Sequence, residues 1–186
     1  MQFLVDLWLP ILLSAAGVFL ISSLLHMVVP IHKGDYGRLP GEERLMAAMR
    51  EQGVSPGAYA FPCATSMKDM GSPEMRAKYQ LGPVGTMLVK PTGSPAMGQA
   101  LLLWFLFSVL VGVLVAYLAS FTLAKGAPCA TVFRVTGTAA FLAYAVYPIN
   151  DTIWKGQRWG VTGKFLFDGL LYSLVTGALF GCFWPA

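Results

Sequence analysis

Phe165-Leu166-Phe167-Asp168-Gly169-Leu170-Leu171-Tyr172-Ser173-Leu174-Val175-Thr176-Gly177-Ala178-Leu179-Phe180-Gly181-Cys182-Phe183-Trp184 decides the fold. About 20 residues suffice to cross a hydrocarbon core of ~30 Å as a helix. Read in fours, Gly169, Ser173, Gly177 and Gly181 form a stripe of small residues. Asp168, Tyr172 and Thr176 form a polar stripe beside it. Leu166, Leu170 and Leu174 form a third, and Phe167, Leu171, Val175 and Leu179 a fourth. At ~100° per residue the small and polar stripes adjoin, and the two apolar stripes lie opposite. Such a helix turns its bulky side to lipid and its small side to protein, because close backbone packing holds helices together where water cannot drive association.

The rest of the composition agrees. Only 12% of the 186 residues are charged and 56% are hydrophobic, with a mean hydropathy of +0.62. A soluble domain carries roughly twice that charge. The formal charge of +4 fits lysine and arginine held on the cytoplasmic side of a membrane, not nucleic-acid binding. The reading is an all-α integral membrane protein with four transmembrane helices, a single membrane domain over 1–186. The spans fall at about 7–29, 98–123, 132–149 and 165–184. A long, mostly irregular loop, 31–97, joins the first two and is expected to cap the bundle, since it has too little apolar content for a large core. Within it, Pro40 to Gln52 and Ser72 to Gln80 read as short helices, Val54 to Pro62 as extended or turn-like, and Val84 to Val89 as a short strand.

The first span lacks the positive start and short apolar run of a cleaved signal peptide, so it reads as an uncleaved helix. In the second, Ser108, Gly112, Ala116 and Ser120 repeat the spacing of four and make a small stripe that could face the one on the last helix. With four spans the long loop and the 150–164 loop share a side. Together they hold eleven of the 13 Lys and Arg residues; Lys125 and Arg134 are the other two. The positive-inside rule then places both termini outside.

Asp168 is the leading polar candidate, since an ionisable group in a span is a functional hypothesis by default. It can serve as a proton or cation site or pair with His26. The structural alternative is an acid near a helix start at about 165, stabilised by the dipole and by Lys164 one turn earlier. His26 and His32 bracket the end of the first span, and Asp35, Asp151 and Asp168 could join them around a metal. Six residues apart and separated by Pro30, the two histidines share no helical face, and no metal or cofactor is expected. Trp154, Lys155, Arg158 and Trp159 alternate aromatic and basic groups at headgroup level. They read as interfacial anchors or as a seat for an anionic lipid. Cys63, Cys129 and Cys182 have no metal-ligand spacing. No phosphate-binding glycine loop, GxSxG elbow or HExxH is present.

Three readings follow. The first is a non-enzymatic accessory, scaffold or assembly subunit, forming a homo-oligomer or joining a larger complex through the small stripe. The second is a small proton- or ion-coupled transporter using Asp168, with His26 and Arg134 as relays. The third is a membrane-surface enzyme acting on lipid headgroups through His26, His32 and Asp35.

His32-Lys33-Gly34-Asp35-Tyr36, Pro56-Gly57-Ala58-Tyr59-Ala60-Phe61-Pro62, Ile153-Trp154-Lys155 and Phe167-Asp168-Gly169-Leu170-Leu171-Tyr172 carry a resemblance. The chain resembles a group of small bacterial four-span proteins to which no activity is assigned. The resemblance implies a bacterial inner membrane and transfers no catalytic residues.

Overall fold

The computed structural model describes residues 2–186. Four of its helical stretches are long and apolar enough to cross a membrane: Trp8–Val28, Met97–Thr122, Cys129–Lys155 and Trp159–Cys182. This is a multi-pass, all-α membrane protein with one small two-stranded sheet. In chain order the elements are helix α1 (Gln2–Asp6), α2 (Trp8–Ser23), a π-helical turn (Leu24–Val28), a 3-10 turn (Pro30–His32), α3 (Glu42–Glu51) and strand β1 (Gly57–Phe61). Then come α4 (Met67–Met70), α5 (Pro73–Leu81), β2 (Gly85–Val89), α6 (Met97–Thr122), α7 (Cys129–Ala145), α8 (Pro148–Lys155) and α9 (Trp159–Cys182).

Helix α9 is the centre of the bundle. Of its most apolar window 44% is buried, against 22–33% in the other three spans. Asp168, Gly169, Tyr172, Ser173, Thr176 and Gly177 face inward, while Leu170 and Leu174 are exposed. The stripes therefore fall as their spacing requires. The fourth stripe is split: Phe167 is exposed, whereas Val175 and Leu179 press on Gly17 of α2. A Cβ at Gly17 would lie 2.7 Å from Val175 and 3.2 Å from Leu179.

The partner of the small stripe is α7 of the same chain. A Cβ on Gly169 would stand 2.6 Å from Ala145, one on Gly177 3.0 Å from the Phe133 carbonyl, and one on Gly181 2.9 Å from Cys129 Sγ. Gly137 of α7 faces back onto Ser173 and Gly177 at 3.5 and 3.8 Å. The second small stripe corrects an expectation. Gly112 of α6 meets Ile11 and Ser14 of α2 at 3.3 and 3.4 Å, not α9. Ser108, Gly112 and Ala116 are buried there, but Ser120 is exposed and donates to its own helix, to the Tyr117 carbonyl at 2.7 Å.

Two element boundaries also differ. Within the third span the regular helix α7 is interrupted after Ala145, because Pro148 lacks the N–H that would bond back across the break. A short helix, α8, starts there and is closed by Gly156 at φ 73°. The loop expected at 150–164 is thus mostly helical, and α9 begins at Trp159. Residues 36–95 form a second compact unit. There β1 and β2 pair antiparallel, with Tyr59 opposite Met87, and Ser66 and Ser72 cap α4 and α5 through their side chains. Met75 is the one buried residue in that unit, so its core is small, as its composition requires.

Candidate metal centre

The end of the first span builds the site. Helix α2 widens after Ser23 into a π-turn, in which the Val29 N–H reaches the Leu24 carbonyl at 3.0 Å. Pro30 then opens a 3-10 turn, closed by Lys33 N–H on the Pro30 carbonyl at 3.1 Å. Asp35 N–H follows on the His32 carbonyl at 3.1 Å. The chain folds back, and the His32 ring lands on His26: the centroids are 4.2 Å apart and the planes differ by 6°. The expectation that these histidines stay apart rested on α-helical spacing. A π-turn followed by a proline-led reversal breaks that spacing, and π-turns recur at functional sites.

Asp168 completes the cluster. It is 2% exposed and lies about two and a half turns inside α9, counted from Trp159. A dipole at the helix start does not reach that far. Lys164 does not pair with it either: its ammonium sits 2.5 Å from Asp35 Oδ1. The Asp168 Oδ2 atom is 2.8 Å from His32 Nε2 and 3.8 Å from His26 Nε2. Despite the 2.8 Å approach, His32 Nε2 and both Asp168 oxygens lack any aligned hydrogen-bond partner.

The outer nitrogens explain why the inner ones are bare. His32 Nδ1 lies 2.7 Å from Asp35 Oδ2, and His26 Nδ1 lies 3.0 Å from the Ser22 carbonyl. Each partner is an acceptor, so each Nδ1 carries a proton, and Nε2 is the ring atom left to face Asp168. Asp35 is itself held: Lys164 bonds it from one side, and Arg158 Nη2 donates to the Gly34 and Asp35 carbonyls at 2.9 and 3.3 Å. The Lys164 ammonium, with help from His32, holds the Asp35 carboxyl below the usual carboxylate range. A carboxylate behind a histidine, fixing its tautomer and raising its basicity, is the ordinary support of a metal-binding imidazole. Phe165 packs against His32, with ring centroids 5.4 Å apart.

His26, His32 and Asp168 thus form a group able to hold a metal ion, with ligand atoms all within 4.8 Å of one another. An ion with ligand bonds of about 2.0–2.1 Å sets tetrahedral ligand atoms ~3.4 Å apart. The observed 2.8 and 3.8 Å lie on either side of that value, and the two rings, now nearly parallel, would have to tilt for both Nε2 atoms to reach one ion. Two imidazoles and one carboxylate suit zinc or iron and leave a position open for another ligand.

Beside these groups lies a cavity of about 490 Å³, on whose wall His26 and Asp168 stand with Ser22, Ser23, Trp104 and Tyr172. Trp104 donates its indole N–H to Ser22 Oγ at 2.8 Å, which ties α6 to α2. Its ring lies 5.9 Å from Tyr172.

The other sequence candidates lie elsewhere. Asp151 is paired with Lys155 at 2.7 Å. Trp154 and Trp159 are exposed, as interfacial anchors are. Arg158, read as an interfacial anchor or as part of a seat for an anionic lipid, donates Nη2 to the Gly34 and Asp35 carbonyls. Arg134 is exposed on α7, its Nε 3.3 Å from the Ala130 carbonyl. Lys164, Phe165 and Ser22 were missed as site residues, because only the fold-back after Pro30 brings Asp35 and His32 to them. The three cysteines are free and exposed. No family model, curated protein or solved structure matches this chain.

Proposed function

We propose that this protein is a membrane-embedded metal-dependent enzyme whose His26–His32–Asp168 centre binds one divalent transition-metal ion at the membrane surface. The observation that carries this reading is the approach of two imidazole Nε2 atoms, at 2.8 and 3.8 Å, to one buried carboxylate oxygen that has no aligned hydrogen bond. A buried carboxylate is expensive unless it is paired, and a cation between the three groups would offset that cost. Bound there, a divalent metal supplies Lewis acidity at its open position. The chain itself fixes each ring through its Nδ1 contact with Asp35 or Ser22, holds Asp35 through Lys164 and Arg158, and sets a partly apolar cavity beside His26 and Asp168.

This develops the third sequence reading, in which His26, His32 and Asp35 work at the membrane surface. The assembly reading draws no support from the small stripe of α9, since α7 of the same chain occupies it. The distribution of Lys and Arg supports a bacterial inner-membrane orientation with both termini periplasmic, which places the centre on the cytoplasmic side.

The test is a metal titration of detergent-purified protein followed by elemental analysis. One equivalent of zinc or iron is expected to be retained. His32→Ala and Asp168→Ala should each weaken binding beyond the roughly 10–100-fold cost of losing a supporting partner. Full retention in both variants would refute the proposal, and binding of protons alone, seen as coupled flux blocked by Asp168→Asn, would favour the transporter reading.

A further inference from the structure

Arg134 is the one arginine within the four spans. It is exposed on α7, and among the described residues no carboxylate pairs with it. It stands five residues after Cys129, the first of the helix, so its Cα lies roughly 8 Å along the axis from that end. Helical side chains lean toward the N-terminus. Arg134 does so: its Nε donates to the Ala130 carbonyl, one turn nearer the end, at 3.3 Å. The guanidinium is thus raised from the apolar depth of its Cα toward the headgroup level, as a cation on a lipid-facing helix must be. This end of α7 is opposite the metal centre. Arg134 shares a groove with Thr122, the last residue of α6, whereas Met97, the first, lines the cavity of the metal centre.

Two grooves meet at Arg134. One, of about 760 Å³, lies between α6 and α7; the other, of about 340 Å³, lies between α7 and α9. Arg134 and Thr138 line both, and they are the only two residues the grooves share. Four apart, they form the crest of α7 between the grooves. On α6 the first groove runs from Thr122 to Val111, a length of ~16 Å that matches the ~15 Å of one leaflet's hydrocarbon. Buried Val111 and Val115 form its floor, and exposed Leu114, Leu118 and Leu142 its sides. On α7 the second runs from Phe133 to Phe141, a length of ~12 Å. Leu170 and Leu174 of α9 form its far wall. Both grooves follow the helices into the bilayer from the level of Arg134.

We infer that this end of α7 holds one diacyl phospholipid, with its phosphate on the Arg134 guanidinium and one acyl chain in each groove. The phosphate is favoured by charge and shape. A guanidinium meets phosphate oxygens with a rigid fork of N–H donors, and a cation at headgroup depth that lacks a carboxylate attracts an anionic lipid. Two chains are favoured because an apolar groove flanks the charged residue on either side. A phospholipid branches in the same way, from a phosphate-bearing end into two apolar arms. A partner helix would lie along one groove and leave the other empty. The inference is independent of the metal reading, since it uses no residue of that centre and concerns the opposite end of the bundle.

The experiment records native mass spectra of the full chain in mild detergent, stripped of lipid and then titrated with dioleoylphosphatidylglycerol. One lipid per chain is expected to stay bound under activation that removes the rest. Arg134→Gln should lower its affinity about fivefold or more, the worth of one cation against an anionic lipid. Diolein has the two chains without the phosphate, and lysophosphatidylglycerol has the phosphate with one chain. Each should bind more weakly than the full lipid, and inorganic phosphate should not displace it. Thr138→Trp, which raises the crest between the grooves, should weaken retention with Arg134 in place; Leu142→Trp serves the same purpose if that variant fails to fold. Equal affinity in Arg134→Gln, or a lysolipid that binds as well as the full lipid, would overturn the inference. So would a second copy or another protein held on this face and released by Leu142→Trp, because a helix would then fill the groove.

Discussion

His32 Nε2 stands 2.8 Å from Asp168 Oδ2, yet neither atom has an aligned hydrogen-bond partner. The relation holds because His32 is turned by its other nitrogen, which lies 2.7 Å from Asp35. Asp35 in turn is held by Lys164 at 2.5 Å. A chain of two charged groups behind one imidazole thus sets the direction in which its Nε2 points.

Removing that support should weaken metal binding without removing a ligand. Asp35→Asn and Lys164→Met are each expected to cost about 10–100-fold in zinc affinity, read by competition with a chromophoric chelator. Helix content by circular dichroism should not change. Equal affinity in both variants would show that the Lys164–Asp35–His32 chain supports only the fold.

The small stripe of α9 should behave as interior packing, not as a docking edge for another protein. Gly177→Leu pushes a side chain onto the Phe133 carbonyl, where even a Cβ would be 3.0 Å away. The expected loss is about 1–3 kcal/mol or more, seen as a lower melting temperature in detergent. Leu174→Ala, on the exposed face, should change it little. A variant that keeps its melting temperature but loses an associated protein would reverse this account.

Ser22→Ala leaves the Trp104 indole N–H without the acceptor now 2.8 Å away. The site is part-buried, so about 1–3 kcal/mol of stability should be lost. The same melting assay checks it, and an unchanged midpoint would mean that the α2–α6 contact does not depend on this bond.

The charge bias predicts topology. In a cysteine-free background, a cysteine placed at Gln2 should react with an impermeant maleimide added to intact bacterial cells. One placed at Gly156 should react only after permeabilisation. The opposite pattern would invert the orientation and move the centre to the periplasmic side.

Much of the bundle was legible because period and composition act locally. The inward face of α9 follows from Gly169, Ser173 and Gly177, and the start of α5 from Ser72, whereas the short α4 was not read from the sequence. The partner of each stripe was not legible, since Gly112 fits α2 as well as α9 by size alone. The centre was half visible. Asp168 and the histidines are rare polar groups in an apolar chain, but their union depends on a π-turn at Leu24–Val28. No residue type demands that turn. Pro30 announces a break in the helix, not the direction in which the chain leaves it. Lys164 was assigned to Asp168 because one turn of helix separates them; its long side chain instead reaches Asp35, which the fold-back delivers.

X-ray absorption at the zinc edge, recorded on protein loaded with one equivalent, reads the centre most directly. The account predicts outer-shell scattering from two imidazoles and a first shell of nitrogen and oxygen at about 2.0–2.1 Å, with one imidazole lost in His26→Ala. A spectrum without imidazole scattering, or one dominated by sulfur from the cysteines, would contradict it.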